Sequence, residues 1–146
     1  MKTVPLFDTD RDVLMHIAVL MRMAMADGRF LPSEQQYIED TAEVYAQMYA
    51  GSSFGDLAER AGQVSKQDQE DWCKSLASRP VKAKNLVKDL VTLGNIDGDF
   101  CLEERNLVYE ISASFGLDKS IVDDIVRAVL DVMASSLRLN ALIYSE

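Results

Sequence analysis

Apolar residues recur at three- and four-residue steps along most of the chain, and the steps break at a few glycines, prolines and short polar stretches. After an extended lead-in ending at Phe7, Asp8, Thr9 and Asp10 offer N-cap oxygens. From Arg11, Leu14, Ile17, Ala18, Met21 and Met25 trace the inner face of a helix running to about Ala26. Asp27-Gly28 ends it. Pro32 suits the first turn of a second helix, with Tyr37, Ile38, Thr41, Val44, Tyr45 and Met48 inward, which stops near Ala50-Gly51-Ser52-Ser53. A short helix from Phe54 to Ala61 closes at Gly62, and Ser65-x-x-Asp68 opens another through Trp72, Leu76 and Ala77. From Pro80, Leu86, Val87, Leu90, Val91 and Leu93 predict a further helix. Leu102–Ser114 predicts the next, with Leu107, Val108, Ile111 and Phe115 inward and Gly116 at the C′ position. Asp118 or Ser120 caps the last long helix, and the tail from Ser135 is expected to pack as a short helix or fray. No stretch has strand periodicity.

One motif occurs twice at a spacing of seventy residues. Ala26-Asp27-Gly28-Arg29-Phe30 followed by Glu34 corresponds to Ile96-Asp97-Gly98-Asp99-Phe100 followed by Glu104, and Leu20 falls on Leu90. The pattern reads as an internal duplication of one helix–DG loop–helix unit, with units at about 11–50 and 80–117. The predicted architecture is all-α, a compact bundle of about seven helices forming a single domain over 1–146.

Each residue of the motif has a structural role to play. Asp27 and Asp97 accept from loop N–H groups, and Gly28 and Gly98 take a conformation costly for other residues. Phe30 and Phe100 are expected to point back into the helix pair and close the core. Glu34 and Glu104 satisfy N-terminal donors of the following helix. The same letters are the second half of an EF-hand loop. The first half excludes that reading, because Met23 or Leu93 and Met25 or Asn95 stand where carboxylates are required. A looser divalent-cation site is the alternative: Asp97, Asp99, Glu103 and Glu104 place four carboxylates within eight residues in the second copy. In the first copy Arg29 and Ser33 replace the extra acids. Capping and helix-dipole complementarity account for the same acids without a metal.

Composition narrows the partners. The 146 residues are 48% hydrophobic and 27% charged, with a net charge of −9. That balance suits a globular protein and argues against nucleic acid or an anionic membrane surface as partner. Two cysteines are too few for a disulfide framework. No signal-peptide layout or membrane-length apolar run is present, so a cytoplasmic protein is expected, without membrane insertion. His16, the only histidine, has no nucleophile or carboxylate partner nearby in sequence. It reads as a partly buried or surface residue. Cys73 and Cys101 lack zinc spacing. Met15, Met21, Met23 and Met25 fit either core filling or an adaptable groove. Trp72 fits either a partner anchor or a core cover. No nucleophile–base pair is legible, so a hydrolase is the weakest reading and no enzyme is expected.

At the two motifs the chain resembles the TerB family, the tellurite-resistance proteins and their TerB-like relatives. Those carry an apolar helix, A-D-G-x-hydrophobic-x-x-x-E, and a helix ending in L-G-L. Met25-Ala26-Asp27-Gly28 through Glu34 fits the first copy. Asn95-Ile96-Asp97-Gly98 through Glu104, with Ser114-Phe115-Gly116-Leu117 after it, fits the second. The resemblance spans about residues 11–130. It departs from the family at Leu31 and Cys101, where Ser or Thr often caps, and at Leu102, where the first copy has Pro32. It implies a compact all-α fold, a cytoplasmic setting linked to tellurite resistance or stress response, and a role as a protein-interaction module, as in related domains of J-domain co-chaperones. It also implies that Asp27, Glu34, Asp97 and Glu104 could hold a divalent cation. A homodimer stays open, since an exposed apolar patch would indicate one but helix faces alone do not settle it.

Overall fold

A computed structural model describes residues 9–26, 28–47, 57–96, 98 and 100–145. Among these it contains seven α-helices and no strand. They are α1 (Asp10–Ala24), α2 (Pro32–Tyr45), α3 (Leu57–Gly62), α4 (Lys66–Ser75), α5 (Pro80–Gly94), α6 (Leu102–Ser114) and α7 (Lys119–Tyr144), with a 3-10 turn (Leu76–Ser78) after α4. The all-α expectation holds.

Helix starts follow the local chemistry. Thr9 Oγ1 accepts from Asp12 N–H at 3.2 Å and Ser65 Oγ from Asp68 N–H at 3.1 Å. Pro32 and Pro80 open α2 and α5, where a missing N–H is harmless. The C-terminus of α6 is a Schellman turn: Gly116 has φ +73°, its N–H reaches Ala113 O at 3.1 Å, and Leu117 N–H reaches Ser112 O at 3.2 Å.

The centre is the pair α1 and α5, which pack on each other. Each is largely buried around its circumference, because α1 also meets α2, α3 and α4 while α5 also meets α2, α6 and α7. Ile17, Leu20, Met23, Leu86, Leu90 and Leu93 are fully enclosed there. Met15 and Met23 therefore fill core. Met21 is half-buried, and Met25 lies exposed. Trp72 is also core, which settles its two readings.

Three boundaries differ from expectation. α1 ends at Ala24, because Ala26 N–H turns back to Met23 O at 3.1 Å. α2 is described to Tyr45 with a wider turn through Gln47, and Met48, Ala50 and Phe54 lie outside the described residues. The tail from Ser135 neither packs nor frays: it continues α7 without interruption to Tyr144. Asp118 stands at its N-cap, but only the Asp118 carbonyl serves, accepting from Ile121 and Val122 N–H at 3.0 and 3.2 Å. Ser120 lies within the helix. Among the described residues no helix is long and apolar enough to cross a membrane.

Candidate functional site

The two DG loops share their local geometry. Gly28 and Gly98 have φ +80° and +85°, and each donates to the carbonyl three residues back, Met25 or Asn95, at 3.0 Å. An added Cβ at either position would meet nothing within 4 Å, so glycine is required there by backbone conformation rather than by space. Glu34 Oε1 accepts from Leu31 N–H at 3.0 Å, and Glu104 Oε1 from Cys101 N–H at 3.2 Å. Both glutamates are buried. Leu31 has no side-chain acceptor to return the bond, so in α2 the glutamate half of the box stands alone.

The phenylalanines part company. Phe100 packs on the core, with its ring against Gly94: a Cβ on residue 94 would fall 2.8 Å from two ring carbons. Seventy residues earlier the matching position is the buried Ala24, which carries the Cβ that Gly94 lacks. Phe30 is accordingly 40% exposed and does not close the core, contrary to expectation.

Of the acids proposed to hold a cation, Asp97 and Asp99 lie outside the described residues, as does Asp27. Glu103 is exposed, whereas Glu104 is buried and engaged in capping. Among the described residues no three His, Cys, Asp or Glu side chains are grouped to hold a metal. Partial burial and the adjoining Glu104 and Glu103 push the Cys101 thiol up to about 11. Burial pushes Cys73 up to about 11. Neither is a poised nucleophile.

The fold also assembles a buried polar triad. His16, wholly enclosed, places Nε2 2.9 Å from Asp89 Oδ2, and Tyr45 donates its hydroxyl to the same oxygen at 2.5 Å. An ionised carboxylate only accepts, which assigns the proton to Nε2. Burial alone would raise Asp89. The hydrogen bond and charge of His16, the Lys88 ammonium at 3.3 Å and the Tyr45 hydroxyl together hold it below the usual carboxylate value. Burial first, and then the Asp89 charge, push Tyr45 and Tyr37 well above the ordinary phenol value. The triad joins α1, α2 and α5 where solvent does not reach, so it acts as a clamp.

A second cluster joins α1 to α4 and α5. The buried Asp12 carboxylate accepts from Trp72 Nε1 at 3.0 Å, Lys82 Nζ at 3.0 Å and the Arg79 guanidinium at 3.2 and 3.3 Å. The sequence signal for both clusters was a charge inside an apolar stripe. Asp12 and His16 are one turn apart on α1, and Lys82 and Asp89 two turns apart on α5.

The open surface lies elsewhere. Ile125, Ala128, Val129, Val132 and Met133 of α7 floor a groove of about 520 Å³ against α5, with Lys84 and Lys88 on its rim. Beyond it Leu137, Leu139, Leu142, Ile143 and Tyr144 are 57–82% exposed. Toward its start α7 is tied down, with Tyr109 of α6 donating to Asp123.

No curated protein and no solved structure matches the chain. A family model, tellurite resistance protein TerB, matches residues 13–127. That stretch runs from the first turn of α1 into α7 and contains both DG loops, so the chain belongs to the TerB family.

Proposed function

We propose that this chain is a non-enzymatic TerB domain that works by binding another protein, in the cytoplasm, in tellurite resistance or a related stress response. The observation that carries the reading is the apolar face of α7, left uncovered among the described residues and continuous with the groove on α5. Soluble domains seldom expose contiguous apolar surface unless it meets a partner, and a groove beside a helix suits an amphipathic helical guest. The buried clusters serve architecture in this reading. The matched hydrogen bonds of the two loops support descent from one doubled unit, whose copies differ at Ala24 and Gly94.

The second reading is a divalent-cation protein using Asp97, Asp99 and Glu103 beside the capping Glu104. It is favoured by the exposed Glu103 and by the density of acids in this loop alone. Survival in tellurite separates the two, in cells lacking the chain and complemented with variants. L139E/I143E should fail to protect while D99N/E103Q protects as wild type does. The reverse result, with calorimetric binding of calcium, magnesium or zinc that D99N/E103Q abolishes, would establish the cation reading instead. Full protection by both variants would sink both.

A further inference from the structure

We infer that α7 is a self-association helix: two copies of this chain pair antiparallel, each laying the exposed end of its α7 in the α5–α7 groove of the other. The inference rests on the interaction reading above and names its partner.

Four observations carry it. First, the groove floor and the exposed tail lie on one seam. Ile125, Val129, Val132, Ser136, Leu139 and Ile143 follow one another at alternating steps of four and three, the a/d rhythm of a coiled coil. The early part of the seam is seated on the body, whereas Val132, Leu139 and Ile143 are more than half exposed. Second, the charges stay off the contact. Between Ile121 and Tyr144 they are Asp123, Asp124, Arg127, Asp131 and Arg138, all at the outer b, c and f positions. The flanking e and g positions carry Ile121, Val126, Ala128, Met133, Ser135, Asn140 and Leu142. A helix that met only water would not keep four of seven heptad positions free of charge.

Third, the surface is complementary to itself. A twofold axis near Ala134 sets Ile125 opposite the second copy's Ile143, Val129 opposite its Leu139 and Val132 opposite its Ser136. The small serine lies at the crossing, where the helices come closest. Groove floor and tail each span about eight residues, or about 12 Å of helix. One patch therefore fills the other reciprocally, which is the condition for an isologous dimer. Lys84 can cover the guest with its aliphatic stem while its ammonium stays in water, and the stem of Lys88 lines the groove while its ammonium pairs with Asp89. Fourth, a membrane is the wrong occupant. The tail carries one basic residue, Arg138, in a chain of net charge −9, and an interfacial helix needs a basic face.

The test uses the full chain. Sedimentation across a concentration series should show a reversible monomer–dimer equilibrium. L139E/I143E should weaken it at least about a hundredfold, since each charge would be buried in the partner groove. Both replaced residues are exposed, so circular dichroism should be unchanged. Register is read separately: V132C mixed with S136C should give a mixed disulfide dimer on mild oxidation, with each alone cross-linking poorly. A spin label at Tyr144 should report a separation of roughly 30 Å, twenty residues at 1.5 Å. A monomer at every concentration, a dimer indifferent to L139E/I143E, or efficient S136C self-linking would each overturn the inference. A monomer whose L139E/I143E variant still loses tellurite protection would overturn self-association alone and leave the interaction reading standing.

Discussion

Whether the ring six residues beyond position 24 or 94 enters the core depends on one methyl group. Gly94 leaves room for the Phe100 ring, whereas Ala24 at the matching position carries a Cβ where a ring so placed would collide, and Phe30 stays exposed. Gly94→Ala should therefore push Phe100 outward. Overpacking costs about 1–3 kcal/mol, against about 1 kcal/mol that alanine gains over glycine in a helix, so thermal melting should show a net loss. The Phe100 ring protons should move toward their solvent-exposed shifts. A melting temperature at or above wild type would mean that the ring relocates freely and that the contact does not hold the loop. The motif alone predicts both phenylalanines inward. The motif could not distinguish them, because the deciding residue precedes it on the other side of the loop.

At the scale of the element, each helix start and stop follows from residues within about one turn. Thr9, Ser65, Pro32 and Pro80 open helices, Gly116 closes α6 with positive φ, and Gly28 and Gly98 carry the positive φ of the turns that follow α1 and α5. Gly98→Ala should cost about 1–2 kcal/mol, the penalty for a Cβ in the left-handed region. Gly28→Ala should cost about the same, because neither position has a steric neighbour to add to it. Urea melts of the two variants measure this directly. A much larger effect at Gly98 would reveal a role for the second loop beyond its turn. α7 continues past Ser135 where a separate short helix or a frayed end is expected, since helical periodicity says that a helix continues but not whether anything covers its face.

Across the whole molecule, buried polar side chains lock the packing of α1, α2, α4 and α5. Removing one partner of a buried pair typically costs about 3–5 kcal/mol, and Asp89→Asn should lose about that much at neutral pH. The Asp89 carboxyl titrates lower when folded than its unfolded value near 4. Its contribution is thus complete above about pH 4 and is lost as pH falls through the folded value. The stability gap between wild type and Asp89→Asn, from urea melts at stepped pH, should be constant near neutrality and close in acid. The groups facing Asp89 are His16, Tyr45, Tyr37 and Lys88, so a gap that widens on acidification would mean that His16 rather than Asp89 governs the linkage.

The sequence alone determined the all-α class, the helix order, the two glycine turns with their capping glutamates, and the family, because each is written in residues a few positions apart. Tertiary structure decided the rest. His16 meets Asp89 across 73 residues and Asp12 meets Lys82 across 70, pairings that no local spacing encodes. Burial is likewise a property of the packed set of helices: the same apolar rhythm is core in α1, groove floor in the middle of α7 and open surface at its end. Helix propensity and capping act over one turn of chain, whereas the partners of a buried charge and the exposure of an apolar face depend on which helices fold against it.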